Sequence, residues 1–283
     1  MVPAKKPVKI VAVDCNCDLN PQEVIETVRK VLAKEKGVVL VVFPENVLGE
    51  KAITRQQGKE IASRIGAMLR ERKNAYVFVS FVEKGIDYKR RPVVVPTGYI
   101  VGPWTRKPYW SVYQKKWSKD RIPKTNLAHK RGAIKSDIQK SDKLILLKNS
   151  GLSPRQIVKL INVWGERAKR NAPFPVTRIA GREVQLRLCA DIANQRNRYT
   201  HDERKVDFVV VPAHGLLDHV GATIAARDAH TKGLLIVDRV LGVSYHPKRG
   251  TQKRLINPED VIRDKLHGIT IKKVWPAKRT LRR

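Results

Sequence analysis

Two uninterrupted apolar runs of strand length limit the folds open to this chain more than any other feature. They are VVLVVF at residues 38–43 and the apolar part of VDFVVVPA at residues 206–213. A strand that is apolar on both faces is typical of a parallel sheet covered on both sides. Because crossover connections, usually helices, join parallel strands, the two runs predict an α/β protein.

Amphipathic segments of helical length separate the predicted strands. The first begins at Asn20, a helix-capping residue, with Pro21 at the first helical position and Glu23 placed for a capping box. Further helices are predicted around residues 61–69, 154–168 and 222–230. The other predicted strands span residues 8–13, 75–82, 93–101, 184–188 and 234–242.

The chain carries a large excess of positive charge. Its 283 residues include 58 Lys and Arg against 26 Asp and Glu, a formal net charge of +32. Such a surface attracts polyanions, so RNA or DNA is a candidate partner. A basic insertion is predicted at 118–172 and a basic C-terminal tail at 247–283, within a single domain that spans 1–283. The alternative interpretation is a basic face that is simply solvated.

Aromatic and basic residues are interleaved in WTRKPYWSVYQKKW, residues 104–117. This composition suits stacking on bases with phosphate contacts alongside. An alternative is that the aromatic side chains close a hydrophobic core. The residues predicted to bind a polyanion or an anionic substrate are Lys107, Lys116, Lys130, Arg131 and Lys135.

The cysteines predict a reducing environment. The chain has three cysteines, Cys15, Cys17 and Cys189, which form no CxxC pair and no even set. Disulfides are therefore not expected, and a cytoplasmic location is predicted. Neither these cysteines nor the histidines have a metal-ligand spacing, so no metal and no cofactor is predicted. No apolar run approaches the length of a membrane span, and no membrane association is expected.

Two reactive side chains follow predicted strands. Cys189 comes after a run in which Val184, Leu186 and Leu188 alternate with polar residues, and Glu45 comes after the first apolar run, behind Pro44. Open α/β sheets build their sites at the carboxyl ends of strands. The alternatives are that Cys189 is a small buried hydrophobe and that Glu45 is a solvated loop carboxylate or a helix cap.

A thiol and a carboxylate at such positions can perform acyl transfer together. The thiol must lose its proton to attack, and a partly buried carboxylate can accept that proton. A lysine nearby can tune the pair and stabilise the oxyanion of a tetrahedral intermediate.

The chain resembles the nitrilase, or carbon-nitrogen hydrolase, superfamily over residues 8 to about 245. VKIVAVDCNCDLN, a helix and VVLVVFPENVLGE resemble its opening, and AYVFVSFVEKG and PTGYIVGP resemble its next strands. SVYQKKWSKD is similar to its lysine segment and LRLCADIAN to its nucleophile strand, and VDFVVVPAHG and DRVLG resemble later strands. The resemblance implies an α-β-β-α sandwich with a basic insertion between the lysine and cysteine strands.

The same resemblance implies roles for individual residues. Glu45 is expected to be the base, Lys115 to support the tetrahedral intermediate, Cys189 to attack, and the Ala190 backbone N–H to complete the oxyanion hole. The expected activity is a thiol-dependent amidohydrolase that cleaves a non-peptide C–N bond of a small amide or nitrile. The expected assembly is a homodimer or a higher homo-oligomer.

Two questions stay open at the level of sequence. The distance along the chain from Lys115 to Cys189 is longer than is usual in the superfamily, so Lys107 and Lys116 are alternative lysines. The alternative function is that of a nucleic-acid-binding or nucleic-acid-processing protein that has retained the fold, and the net charge is its evidence.

Overall fold

The structure is a computed structural model. It describes residues 6–49, 52–86, 92–103, 110–114, 176–188, 206–214, 233–247, 253–258, 260–265 and 268–277. The predicted insertion at 118–172 and the helices predicted around 154–168 and 222–230 lie outside the described residues. None of the helices that the described residues form is long and apolar enough to cross a membrane.

The described residues form two helices and fourteen strands. The helices are α1 (Pro21–Lys34) and α2 (Arg55–Leu69). The strands are β1 (Val8–Val13), β2 (Val38–Val42), β3 (Ile53–Thr54), β4 (Ala75–Ile86), β5 (Pro92–Val101), β6 (Trp110–Gln114), β7 (Val176–Ile179), β8 (Arg182–Leu186), β9 (Phe208–Ala213), β10 (Gly233–Asp238), β11 (Gly242–Pro247), β12 (Lys253–Leu255), β13 (Val261–Asp264) and β14 (Ile269–Val274).

The strands form two sheets. The first sheet has the order β13-β14-β1-β2-β4-β5-β6, with β3 paired to β4, and the second has the order β12-β11-β10-β9-β8-β7. In the centre of each sheet the strands are parallel, as in β1 with β2 and β9 with β10. The predicted α/β class is therefore confirmed.

Both helices begin at a capping box, as predicted at Asn20 for α1, and α2 starts at Arg55, before the predicted range of 61–69. The Asn20 side chain accepts from the Glu23 backbone N–H at 2.9 Å, and the Glu23 carboxylate accepts from the Asn20 N–H at 2.9 Å. Thr54 and Gln57 form the same reciprocal box at the start of α2. Each box satisfies backbone donors that a helix otherwise leaves free, which explains why both helices start at these residues.

Buried apolar side chains form separate layers around the sheets. One cluster lies between the first sheet and the two helices and includes Val28, Val41 and Ile65. A second lies between the two sheets and includes Leu40 of the first sheet and Val210 of the second. The described part of the chain is thus a sandwich of two sheets with a helical layer on the first.

Two findings differ from the sequence-based expectations. The strand predicted over 234–242 ends at Asp238, because the Asp238 carboxylate accepts from the N–H groups of Val240 and Leu241, at 2.7 and 2.9 Å, and turns the chain into a hairpin. Gln185 is buried although the alternation put it on a polar face, and it accepts from the Arg187 side chain at 2.8 Å.

The described residues of the basic C-terminal segment, 247–283, take part in both sheets. They contribute β12 to the second sheet and β13 and β14 to the first. β14 pairs in parallel with β1 along its whole length, from Val8 opposite Ile269 to Val13 opposite Val274. The described part of this segment is therefore built into the two sheets.

Candidate functional site

Backbone hydrogen bonds link the ends of three strands, one from the first sheet and two from the second. The carbonyl of Ala213, the last residue of β9, accepts from the Glu45 N–H at 3.3 Å and from the Arg239 N–H at 3.0 Å. Glu45 follows β2 of the first sheet, whereas Arg239 follows β10 of the second. One carbonyl thus joins the carboxyl ends of strands from both sheets, the position at which α/β proteins build sites.

The turn after β2 holds Glu45 at this junction. Residues 45–48 form the turn, and the Asn46 and Val47 N–H groups donate to the side chain and the carbonyl of Ser80, at 3.1 and 3.2 Å. The Glu45 side chain is only 1% exposed, so the alternative of a solvated loop carboxylate is wrong. The strand-end position is confirmed, and the role as a base stays a prediction.

Asn46 has two features that the sequence analysis missed. Its φ of 56° lies in the left-handed region, which Asn tolerates better than most residues. Its side chain is 0% exposed, and among the described residues both its Oδ1 and Nδ2 atoms lack a hydrogen-bond partner. A buried amide without partners is costly unless something else satisfies it, so Asn46 is a candidate ligand-binding group next to Glu45.

Arg239 brings a buried positive charge to the same turn. Its Nη1 donates to the Asn46 carbonyl at 3.2 Å, and its Nη2 donates to the Asp18 carboxylate. The Arg239 side chain is largely buried, whereas that of Asp18 is 63% exposed. The sequence predicts Arg239 inside a strand, and its tertiary contacts, including the one with Asn46 193 positions earlier, identify it as part of the site.

A glycine allows Asp18 to approach. Gly49 ends the turn with a φ of +83°, and a Cβ on it would lie 2.2 Å from an Asp18 carboxylate oxygen. The Gly49 N–H donates back to the Asn46 carbonyl at 2.8 Å. The turn from Glu45 to Gly49 therefore depends on two residues with left-handed backbone conformations.

Of the predicted site residues, the structure describes Glu45 alone. Lys115 follows directly after the last residue of β6, Gln114, and Cys189 follows the buried Leu188. The remaining predicted residues also lie outside the described residues: Lys107, Lys116, Lys130, Arg131, Lys135 and Ala190. Among the described residues, no group of three or more His, Cys, Asp or Glu could hold a metal ion.

Comparisons with known proteins identify the fold. No protein-family model and no curated protein sequence matches the chain. Solved structures do match: an amidase from Nesterenkonia sp. is 14% identical, with a TM-score of 0.53, over 89% of this chain and 87% of that one. A variant of that amidase from strain AN1, described as a member of the nitrilase superfamily, is 15% identical with a TM-score of 0.53, over 90% of this chain and 88% of that one.

Another matching structure shows a glutamate-to-leucine variant of the AN1 amidase with the acetamide moiety of fluoroacetamide added covalently at its active site cysteine. It is 13% identical with a TM-score of 0.52, over 89% of this chain and 87% of that one. At such identities the comparisons establish the fold. The nitrilase-like sandwich expected from the sequence is confirmed.

Proposed function

We propose that this protein is a thiol-dependent amidohydrolase that cleaves the C–N bond of a small amide or nitrile, with Glu45, Lys115 and Cys189 as its catalytic residues. The observation that carries the proposal is the burial of Glu45 at the junction of β2, β9 and β10, in a fold shared with nitrilase-superfamily amidases. A carboxylate sequestered at a strand end is suited to proton transfer.

The register of the second sheet supports the partnership of Glu45 with Cys189. β8 and β9 are parallel neighbours with Leu186 opposite Val210, and the Arg187 N–H donates to the Val210 carbonyl at 3.0 Å. Cys189 follows Leu186 by as many residues as Ala213 follows Val210. A continued register would bring residue 189 beside Ala213, whose carbonyl accepts from the Glu45 N–H.

The proposed reaction proceeds by acyl transfer. Glu45 accepts the Cys189 thiol proton, the sulfur attacks the amide carbon, and the carbonyl oxygen becomes an oxyanion facing Lys115 and the Ala190 N–H. Collapse breaks the C–N bond, and the amine leaves with the proton that Glu45 returns. Water, deprotonated by Glu45, then attacks the thioester; the C–S bond breaks, the carboxylic acid leaves, and Glu45 returns the proton to the Cys189 sulfur.

Asn46 supports an amide as the substrate. Its side chain offers one acceptor and a pair of donors, and a carboxamide presents the complementary set. A matching structure of the AN1 amidase contains butyramide, a small carboxamide. The proposed substrate class is therefore a small primary amide.

Fluoroacetamide provides a direct test. Incubation followed by trypsin digestion and mass spectrometry should find the acetamide moiety on the peptide 188–196, which contains Cys189 and neither other cysteine. The label is expected in Glu45→Gln, because the AN1 amidase shows this adduct in a glutamate variant, and it should be absent when Cys189→Ala is added to Glu45→Gln. Equal labelling of Cys189 and Cys17 in the folded protein would argue against an activated thiol.

A second candidate function is polyanion binding, which the net charge of +32 favours. Binding to labelled single-stranded and duplex nucleic acid should weaken steeply as salt rises, because binding releases condensed counterions. Replacing Lys130, Arg131 and Lys135 together should reduce the log-log salt slope by about one for each phosphate-binding side chain removed, while amide turnover stays unchanged. Affinity that is absent at low salt, or flat with salt, would eliminate this function. A cytoplasmic location and a homo-oligomeric state remain predictions.

A further inference from the structure

Cys15 and Cys17 lie together in the segment that follows β1. Their sulfur atoms are 3.8 Å apart, and the Cys15 thiol donates to the Cys17 carbonyl at 2.9 Å. Cys15 is 1% exposed, whereas Cys17 is half-buried. Cys17 is thus partly open to solvent although it packs against the core, and the buried Cys15 sulfur lies in contact range of the Cys17 sulfur.

From this geometry we propose that Cys15 and Cys17 are a redox-active dithiol, a modification site that small disulfides oxidise to an intramolecular Cys15–Cys17 disulfide. The S–S separation has to shorten to about 2.0 Å, which rotation of two side chains on a three-residue loop can provide. Two reduced thiols in contact range, one of them partly open to solvent, are an arrangement that permits thiol–disulfide exchange.

The exchange has two balanced steps. The Cys17 thiolate, having released its proton to solvent, attacks one sulfur of a small disulfide and displaces the other as a thiolate. The Cys15 thiol then loses its proton and attacks the Cys17 sulfur, which expels the second small thiolate and leaves the protein disulfide. The small disulfide is reduced by two electrons, and the two protein thiols are oxidised by two.

Burial assigns the two roles. Burial, together with the nearby Cys17 thiol, raises the pKa of Cys15 to about 12, although a backbone hydrogen bond at Cys17 and, less strongly, Arg239 act in the opposite direction. A buried thiol that ionises so reluctantly is a poor first attacker. It is a competent resolving thiol, because proximity to the Cys17 sulfur compensates for its low thiolate fraction.

The dithiol adjoins the turn that carries Glu45. The Leu19 N–H donates to the Val47 carbonyl at 2.9 Å, and Asp18 pairs with Arg239, which in turn contacts Asn46. A disulfide that rearranges residues 15–17 is therefore expected to disturb both the Leu19–Val47 hydrogen bond and the Asp18–Arg239 ion pair. The expected consequence for amide turnover, a reversible loss, rests on the proposed function; the oxidation itself does not.

Oxidised glutathione and peptide mapping test the proposal. Trypsin releases both thiols in one peptide, 10–29, while Cys189 falls in another, 188–196. In the folded wild type, peptide 10–29 should lose two hydrogen masses and regain them with dithiothreitol. A peptide that stays reduced, or stops as a glutathione adduct, overturns the proposal. Guanidine-unfolded protein, in which every thiol is accessible, controls for active oxidant.

Single variants test the order of attack. Cys15→Ser should accumulate a stable glutathione adduct on Cys17, whereas Cys17→Ser should show a near-complete loss of labelling at Cys15. The opposite pattern would contradict the assignment. Inhibition caused by the Cys15–Cys17 disulfide should be absent when both residues are replaced by serine. Inhibition by oxidised glutathione that persists in this double variant is assigned to Cys189. Because the mass measurement needs no substrate, a missing amidase activity would leave it interpretable.

Discussion

Two buried glutamates occupy different parts of this molecule. Glu45 is 1% exposed and Glu83 is 3% exposed, so burial does not distinguish them. Glu83 lies inside β4, with Ile53 of β3 opposite on one side and Val95 of β5 on the other. Glu45 lies in the turn after a strand, at the junction of the two sheets. The position in the sheet, rather than burial, separates a candidate base from a structural carboxylate.

The surroundings of Glu83 explain its structural role. The Tyr99 hydroxyl donates to its carboxylate, and a hydrogen bond from Thr97 adds to this. α2 packs over the group through Gly58, where a Cβ would lie 2.0 Å from the Glu83 Oε1 atom. Burial raises the pKa of Glu83, against the opposing effect of these hydrogen bonds.

The largest expected contrast is in catalysis. Glu45→Gln should lower kcat/KM for a small amide such as butyramide by roughly 10²–10⁴-fold, because a general base contributes about that much. Glu83→Gln should leave kcat/KM nearly unchanged. Ammonia release gives the rates, and thermal unfolding of both variants checks that they are folded. Similar losses in the two variants would remove the distinction between the glutamates.

A smaller effect is expected where α2 meets Glu83. Gly58→Ala should lower the free energy of unfolding by about 1–3 kcal/mol, because the added methyl group displaces the Glu83 carboxylate from Tyr99. The higher helix propensity of Ala offsets up to about 1 kcal/mol of this. Denaturant titration measures the loss, and the matched control is Gly58→Ala combined with Glu83→Ala. Strict additivity in that double mutant would show that the two sites do not interact.

Two substitutions of Asn46 separate the effect of its left-handed backbone on stability from the effect of its side chain on substrate binding. Asn46→Gly keeps the left-handed conformation and removes a buried amide without partners, so the free energy of unfolding should change little. Asn46→Ala should be less stable than Asn46→Gly by about 1–2 kcal/mol, because Ala disfavours positive φ. Both variants should raise the KM for an amide. An unchanged KM in Asn46→Gly would mean that the side chain does not contact substrate.

The smallest expected effect is in the pH dependence of stability. Because the folded-state pKa of Glu83 is raised above its usual 4.5, the folded protein holds this proton more tightly than the unfolded chain does. The ionised Glu83 carboxylate destabilises the folded protein. This effect is absent below pH 4.5 and grows as the pH rises through the raised pKa. The stability of Glu83→Gln relative to wild type should therefore increase with pH over this range, as urea titrations would show.

Glu35 provides the opposite case. Burial favours a higher pKa, but hydrogen bonds from Lys9 and Lys272, at 2.6 and 3.0 Å, outweigh it, so the pKa of Glu35 is lowered. Its stabilising contribution is present above the usual 4.5 and is lost as the pH falls through the lowered value. Glu35→Gln should therefore lose stability relative to wild type as pH rises. The same trend in both Gln variants would contradict the assigned directions.

Local features of the sequence determined much of the fold. The apolar runs specify β2 and β9 because strands buried on both faces exclude polar side chains, and Asn20 specifies the start of α1 through its capping box. The strand-end position of Glu45 also followed from Pro44 after an apolar run. These properties depend on residues within a few positions of one another, which is the range over which propensity and periodicity act.

Only the tertiary structure decided what surrounds Glu45. The order of the strands, with β14 beside β1, brings a C-terminal segment into the first sheet, and no local pattern encodes that pairing. The packing of one sheet on the other sets the contact of Arg239 with Asn46 and the shared carbonyl of Ala213. The path of the chain after β1 brings the sulfur atoms of Cys15 and Cys17 into contact. Such contacts arise from burying two sheet faces together, a property of the whole chain rather than of any segment.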